Sequence, residues 1–146
     1  MIASFEYVRL NKGINSDDKY PYEAVQGKCR YQSRYIAATC SGYRTIPQGD
    51  EQALLQAVAS KGPIAVAIAA NSNFMSYNGG IYDDPTCSTA VNHAVLLIGY
   101  GSENGVDYWL VKNSWGSLWG EGGYVKMRRN KQNQCAIANY GSYPVV

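Results

Sequence analysis

A histidine and an asparagine at the ends of two apolar runs are the residues best suited to chemistry in this chain. His93 is the only histidine and opens the run His93–Tyr100, while Asn113 closes the run Tyr108–Lys112. A carboxamide oxygen can accept the N–H of one imidazole nitrogen, which fixes the tautomer and leaves the other nitrogen free for a nucleophile. Trp115 is close enough in sequence to cover that bond and exclude water. The alternative interpretation is a histidine that only satisfies local hydrogen bonds at a strand end.

The apolar pattern predicts the elements that would position these two side chains. A first helix ends at Lys12-Gly13, and a second begins after Asp50 and ends at Gly62-Pro63. Strands are then predicted in order at Ile64–Ala69, His93–Tyr100, Tyr108–Lys112 and Tyr124–Arg128. This order is typical of an α+β protein with a β-rich C-terminal half.

The segment "GSENGVD" between the second and third of these runs indicates a hairpin turn. A hairpin makes its two strands antiparallel neighbours. His93 at the start of one strand and Asn113 at the end of the other would then reach the same edge of a sheet. The acidic pairs Asp17-Asp18 and Asp83-Asp84 are interpreted as turn residues.

Composition and charge disfavour several other classes of function. The net charge is +2 and the basic residues are scattered, which gives no argument for nucleic acid or an anionic membrane as a partner. No aliphatic stretch of the sequence, Ala94–Ile98 among them, is long enough to span a bilayer. The glycine-rich segments match no phosphate-binding fingerprint, since each precedes a strand pattern. No cofactor is indicated.

The four cysteines, at positions 29, 40, 87 and 135, form no CxxC pair, and a single histidine cannot complete a finger-type zinc site. No metal site is therefore expected. An even number of widely spaced cysteines fits disulfides in an oxidising compartment, although four free thiols remain an alternative. The first helix has no capping residue before Met1. We therefore expect that the chain begins inside an element and that a segment which precedes it is missing from this sequence.

Several motifs together resemble the papain-like cysteine proteases, nearest to the animal cathepsins of the S and L type. They are "FEYVRLNKGI", "YPYEA", "VNHAVLLIGYG", "DYWLVKNSWGSLWGEGGYVKMRRN" and "NQCAIANYGSYP". The resemblance covers essentially the whole chain. It implies a papain-like fold in which about residues 1–40 are a strip of the helical domain and about residues 41–146 form the β-barrel-like domain.

The resemblance also implies a role for individual residues. His93 matches the catalytic base, Asn113 its orienting partner, Trp115 the cover over their bond, and Trp119 an aromatic beside the leaving-group side of the cleft. Cys87 and Cys135 match a disulfide pair. Cys29 and Cys40 match cysteines whose partners would lie upstream. The substrate-binding positions matched by the resemblance are Met1, Ala67, Asn92, Ala94 and Tyr140.

One departure from the family pattern is severe and one is minor. The family nucleophile lies in a Cys-Gly-Ser/Ala-Cys-Trp/Tyr motif roughly 130–150 residues before the histidine, and these 146 residues contain no such motif. None of the four cysteines follows its pattern or opens an apolar helix, so none is expected to be the nucleophile. Ala136 replaces the glycine that the family usually has after Cys135, which raises a question about the backbone there.

These residues lead to one main hypothesis and two alternatives. The main hypothesis is a lysosomal or secreted cysteine endopeptidase, of which this chain supplies the base and one wall of the cleft and is inactive alone. Its partners would be a peptide substrate or inhibitor and a nucleophile-bearing segment. The alternatives are a non-catalytic peptide-binding paralogue and a fragment that covers its exposed surface by self-association.

Overall fold

The computed structural model describes residues 1–146, which divide into two units. The first unit contains Met1–Arg44 and Pro144–Val146, and the second contains Thr45–Tyr143.

The first unit is built on helix α1, Ile2–Leu10, which begins after Met1 without a side-chain cap. The predicted end is present, since Gly13 follows at φ +147° and its N–H donates to the Val8 carbonyl at 2.9 Å. The remaining elements are β1 (Ile14–Asn15), a 3₁₀ turn (Ser33–Tyr35), β2 (Ile36–Ala38) and β3 (Gly42–Thr45), of which β1 and β2 pair antiparallel.

No apolar side chain of the first unit is buried. Helix α1 has no buried residue, and Leu10, Tyr22 and Val25 are 66%, 89% and 74% exposed. A unit of this kind has no hydrophobic core to hold it together.

The second unit begins with helix α2, Glu51–Lys61, as the sequence predicts. The Asp50 side chain caps it by accepting the Ala53 N–H, and Gly62 ends it at φ +97°. The later elements are β4 (Ile64–Ile68), α3 (Ser72–Met75), β5 (Ile81–Tyr82), β6 (His93–Glu103), β7 (Val106–Lys112), β8 (Tyr124–Arg128), a 3₁₀ turn (Gln134–Ala136) and β9 (Ser142–Val145). The last two residues of β9 belong to the first unit.

The strands form a mostly antiparallel sheet with the order β9-β4-β6-β7-β8-β5, in which only the short β5 runs parallel to its neighbour β8. The α+β class is confirmed. The barrel-like description needs one refinement, because the strand order has two ends and the sheet stays open.

The β6–β7 hairpin is longer than its apolar runs suggest. Asn104 and Gly105 have φ values of 51° and 77°, the positive pair of a two-residue turn whose twist matches that of the strands. Pairing therefore continues to Glu103 and Val106, beyond the predicted strand ends at Tyr100 and Tyr108. A bulge between Leu97 and Gly99 shifts the register by one residue before the strands reach the sheet edge.

The core lies between α2 and the sheet. Leu54, Ala57 and Val58 form the buried stripe of α2. They pack in one cluster with alternate residues of the sheet, namely Ile64, Val66, Ile68, Val95, Leu97, Trp109, Val111, Val125 and Met127. Each fully buried Leu, Ile or Val stabilises the fold by roughly 1.5–3 kcal/mol relative to exposure. This packing makes β6 and β7 a rigid base for the side chains at their ends.

None of the helices is both long and apolar enough to cross a bilayer. The structure also has no cluster of three or more His, Cys, Asp or Glu side chains arranged to hold a metal ion.

Candidate active site

His93 and Asn113 meet at one edge of the sheet. His93 is the first residue of β6 and Asn113 follows the last residue of β7, and Leu96 pairs with Lys112 just inside that edge. The His93 Nε2 and Asn113 Oδ1 atoms are 2.8 Å apart. Asn113 is only 7% exposed, so its amide forms this bond away from bulk water.

The neighbours of Asn113 determine which imidazole nitrogen carries the proton. Asn113 Oδ1 also accepts the Ser114 N–H at 2.8 Å, so the atom facing both groups must be an acceptor. His93 Nε2 must then donate. In the neutral ring Nδ1 is left as a free acceptor. Asn113 Nδ2 has no hydrogen-bond partner in the protein, so the amide is held through its oxygen.

An aromatic cluster covers this pair. The Trp115 indole stacks on the imidazole, with ring centroids 4.7 Å apart and planes at 29°. Phe74, which is fully buried, places its ring edge against Trp115 at 5.7 Å and lies 6.4 Å from His93. Trp119 contacts both Phe74 and Trp115 and donates its Nε1–H to the Met75 carbonyl at 3.0 Å. The imidazole can therefore turn little without displacing packed rings.

Tight glycine turns carry Trp115 and Trp119. Gly120 adopts φ +58°, and a Cβ there would lie 2.6 Å from the Tyr124 carbonyl oxygen and 3.1 Å from the Tyr77 ring. The turn closes where the Gly123 carbonyl accepts the Asn113 N–H at 2.9 Å. Asn113 is thus fixed by main chain as well as by side chain.

Asn92 braces the approach to His93. Its Oδ1 accepts the Ala70 N–H at 2.8 Å and its Nδ2 donates to the Ala70 carbonyl at 2.9 Å, while its own N–H donates to Ile68. The first residue of β6 is therefore tied to the end of β4. With the side chain occupied in this way, any contact of Asn92 with a substrate would fall to its main chain.

The other residues matched to substrate binding lie in both units. In the second unit Ala67 and Ala94 are paired across β4 and β6, and Tyr140 is 52% exposed. Met1 occupies the N-cap position of α1 in the first unit, without a side-chain hydrogen bond.

The cysteines provide no free thiol in the second unit. Cys87 and Cys135 form a disulfide. Cys29 and Cys40 are free and lie in the first unit. The backbone N–H of Tyr31 lowers the pKa of the exposed Cys29 thiol below its ordinary value. The second unit therefore contains no free cysteine thiol.

The backbone at Ala136 has a left-handed conformation. Cys135 and Ala136 have φ values of 54° and 59°, and Ala136 is fully buried. The backbone keeps the left-handed conformation that favours glycine, and alanine occupies it at a cost of roughly 1–2 kcal/mol.

Sequence reasoning missed two buried residues of the second unit, Phe74 and Asp84. Phe74 lies on α3, whose four residues are too few to show a helical period. Asp84 belongs to an acidic pair interpreted as a turn. It does cap a turn, since its Oδ1 accepts the Thr86 N–H, but it is also 6% exposed. Cys87, three residues later, could have indicated that this turn is fixed to another segment, since it forms the disulfide with Cys135.

Comparison with known proteins gives one consistent family. Residues 1–145 match the model of the papain family cysteine proteases. The chain is 53% identical to cathepsin S of Mus musculus and 52% identical to digestive cysteine proteinase 2 of Homarus americanus. In both cases all of this chain is covered, with 43% and 46% of the relative.

Solved structures agree. The larval midgut procathepsin L 3 of Tenebrio molitor superposes with a TM-score of 0.97 at 48% identity, covering all of this chain and 48% of that one. The bromelain protease of Ananas comosus in complex with the E64 inhibitor gives 0.92 at 42% identity, covering 99% of this chain and 68% of that one. The chain spans less than half the length of the Mus musculus cathepsin S and of the Homarus americanus digestive cysteine proteinase 2.

Proposed function

This chain belongs to the papain family of cysteine proteases, and we propose that it forms the histidine-bearing part of a cysteine endopeptidase. The observation that carries the proposal is the His93 Nε2–Asn113 Oδ1 bond at 2.8 Å, which leaves Nδ1 as the free nitrogen. That arrangement suits a base whose ring orientation must be held while its proton moves.

The proposed reaction uses a thiol supplied by a segment outside these 146 residues. His93 Nδ1 takes the thiol proton, and the resulting thiolate attacks the peptide carbonyl carbon. The imidazolium then gives that proton to the leaving amine as the C–N bond breaks, and a thioester remains. Water, deprotonated by the same nitrogen, hydrolyses the thioester and restores the thiol.

The surrounding residues have supporting roles in this proposal. Asn113 keeps Nε2 protonated through the cycle and stabilises the imidazolium. Trp115 excludes water from the Nε2–Asn113 bond, which strengthens it. Trp119 lines the leaving-group side. Ala67, Ala94, Asn92, Tyr140 and Met1 are proposed to bind the substrate.

The first test compares two forms of the protein on a fluorogenic dipeptide with a hydrophobic second residue. The 146-residue chain alone should be inactive, because loss of the nucleophile from a coupled catalytic unit removes on the order of 10⁶ in turnover. The product of the complete reading frame should be active, and His93→Ala in that product should abolish activity. E64, which the Ananas comosus structure holds, should inhibit it.

The outcomes separate the alternatives. If the short chain is active and thiol alkylation abolishes that activity, the proposal that the nucleophilic thiol comes from another segment is refuted. A complete product that binds peptides without cleaving them would favour the non-catalytic alternative.

We propose two further properties. The Cys87–Cys135 disulfide supports a lysosomal or secreted location, since disulfides persist in oxidising compartments. The absence of buried apolar side chains in the first unit supports its being covered, either by the nucleophile-bearing segment or by a second copy. Light scattering on the short chain tests this, and a stable monomer that binds little hydrophobic dye would contradict it.

The domain division is likewise proposed, with about residues 1–40 as part of a helical domain and about 41–146 as the β-rich domain. Limited proteolysis that cleaves first near residues 40–45 would support it. Initial cleavage within the sheet would contradict it.

A further inference from the structure

Asp84 is a buried carboxylate that the proposed reaction does not use. It is 6% exposed and follows β5. Its neighbour Asp83 is compensated by cations, with Arg128 and Lys131 each 3.6 Å away. Asp84 has no such partner and is stabilised by hydrogen bonds alone. A buried charge without a counter-ion is costly unless its acceptor sites are filled.

Those acceptor sites are filled from three segments. Asp84 Oδ2 accepts from Asn71 Nδ2 at 2.8 Å and Asn73 Nδ2 at 3.1 Å. The Tyr82 hydroxyl lies 3.0 Å from the same oxygen. Asp84 Oδ1 accepts the Thr86 N–H and hydroxyl at 2.8 and 2.6 Å. The bonds from Asn71 and Thr86 hold the pKa of this carboxyl well below its usual range.

The bond to Asn71 connects the carboxylate to α3. Asn71 is the N-cap of that helix, and its Oδ1 accepts the Phe74 N–H at 3.0 Å. A four-residue helix cannot hold its own conformation, so its position depends on the cap and on packing. Asp84 fixes the Asn71 amide through one end, and the other end of that amide fixes Phe74.

Phe74 and Met75 contact the tryptophans of the aromatic cluster that covers the imidazole. Phe74 contacts Trp115 at 5.7 Å and Trp119 at 5.1 Å, and the Met75 carbonyl holds the Trp119 indole N–H. Trp115 in turn stacks on His93. A continuous path of contacts therefore runs from the buried carboxylate to the candidate base.

We propose that Asp84 is a positioning residue for His93: through Asn71 it sets α3, and through Phe74 and Trp119 it keeps Trp115 stacked on the imidazole. The value of this for catalysis rests on the proposed function. The coupling itself is a property of the folded chain and can be measured without any activity.

The experiment uses the fact that His93 is the only histidine. Its two ring-carbon protons are recorded by NMR in wild type, Asp84→Ala and Asp83→Ala. A ring stacked on an indole has its proton signals moved upfield by the ring current. Asp84→Ala should lose most of that upfield shift, because it removes the oxygen that accepts from the Asn71 and Asn73 amides. Asp83→Ala should keep it.

A second matched pair covers the case in which Asp84→Ala does not fold. Asn71→Ser retains an N-cap acceptor for Phe74 but removes the donor to Asp84. Asn73→Ser removes the other amide donor to the same oxygen and leaves the Asn71 path intact. Asn71→Ser should move the His93 signals, and Asn73→Ser should leave them near their wild-type positions.

Wild-type His93 shifts in folded Asp84→Ala or in Asn71→Ser would overturn the proposal. Equal displacement by Asn71→Ser and Asn73→Ser would also overturn it, because the effect would then not run through the cap. Failure of the complete protein to cleave peptides would remove the proposed function and leave this coupling standing.

Discussion

Two neighbouring glycines offer a matched test of how tightly the turn below Trp119 is built. Gly120 and Gly122 have similar positive φ values of 58° and 64°. An alanine Cβ at Gly120 would lie 2.6 Å from the Tyr124 carbonyl oxygen, whereas at Gly122 no heavy atom lies within 4 Å. The two substitutions therefore share a similar backbone penalty and differ in the close contacts with Tyr124 and Tyr77 that only the Gly120 Cβ would make.

The magnitudes follow from that difference. Alanine in the left-handed region costs roughly 1–2 kcal/mol, which is the whole expected loss for Gly122→Ala. Gly120→Ala must also displace backbone or the Tyr77 ring, which adds about 1–3 kcal/mol. Alanine also restricts the unfolded chain by about 0.4–1 kcal/mol, and this cancels between the two variants.

The assay is urea unfolding followed by tryptophan fluorescence, with the disulfide intact. Trp109, Trp115 and Trp119 all lie in the second unit, so the signal reports that unit. Gly120→Ala should unfold at clearly lower urea than Gly122→Ala, with a similar slope m. Equal losses of stability in the two variants would refute the assigned packing of the turn.

Three further predictions concern stability. Cys87→Ser should lower the free energy of unfolding by roughly 4 kcal/mol in the chain-entropy model, because the bridge joins residues 48 apart. Cys40→Ser should change it little. A non-reduced digest that links Cys87 to Cys29 or Cys40 would contradict the pairing. Asp84 has a folded pKa below its unfolded value of about 3.9, so its stabilisation is present above about pH 4 and lost as the pH falls; the unfolding free energy of wild type should drop more steeply below pH 4 than that of Asp84→Asn, and identical slopes would count against it. Ser142 is 1% exposed and its hydroxyl has no partner in the protein, so Ser142→Ala should stabilise by about 1 kcal/mol in the same urea assay, and a clear loss would show that the hydroxyl is bonded.

The parts of the site that could be predicted from sequence are those held by local rules. Asn104-Gly105 specifies the hairpin turn, and antiparallel pairing then brings His93 and Asn113 to one edge. The Asp50 cap and Gly62 specify α2 in the same way. In each case the residues that determine the element lie within or beside it.

The parts that could not be predicted depend on contacts between distant segments. Asp84 is buried because Asn71 and Asn73 reach it from α3. The β6 bulge near Ile98 sets the register at the sheet edge. Gly99 beside it signals an irregular strand, but the register itself depends on the pairing with β7. The two-residue β5 pairs in parallel with β8, and so short a strand carries no readable alternation.

The proposed chemistry depends on Asn113 holding His93 with Nε2 protonated and Nδ1 free. The most direct measurement is ¹⁵N NMR of the single imidazole at mildly alkaline pH, in wild type and in Asn113→Ala. Wild type should show a protonated Nε2 and an unprotonated Nδ1, with an Nε2–H that exchanges slowly with solvent, and Asn113→Ala should lose that protection. A protonated Nδ1 in wild type, or equally fast Nε2–H exchange in both proteins, would contradict this role of Asn113.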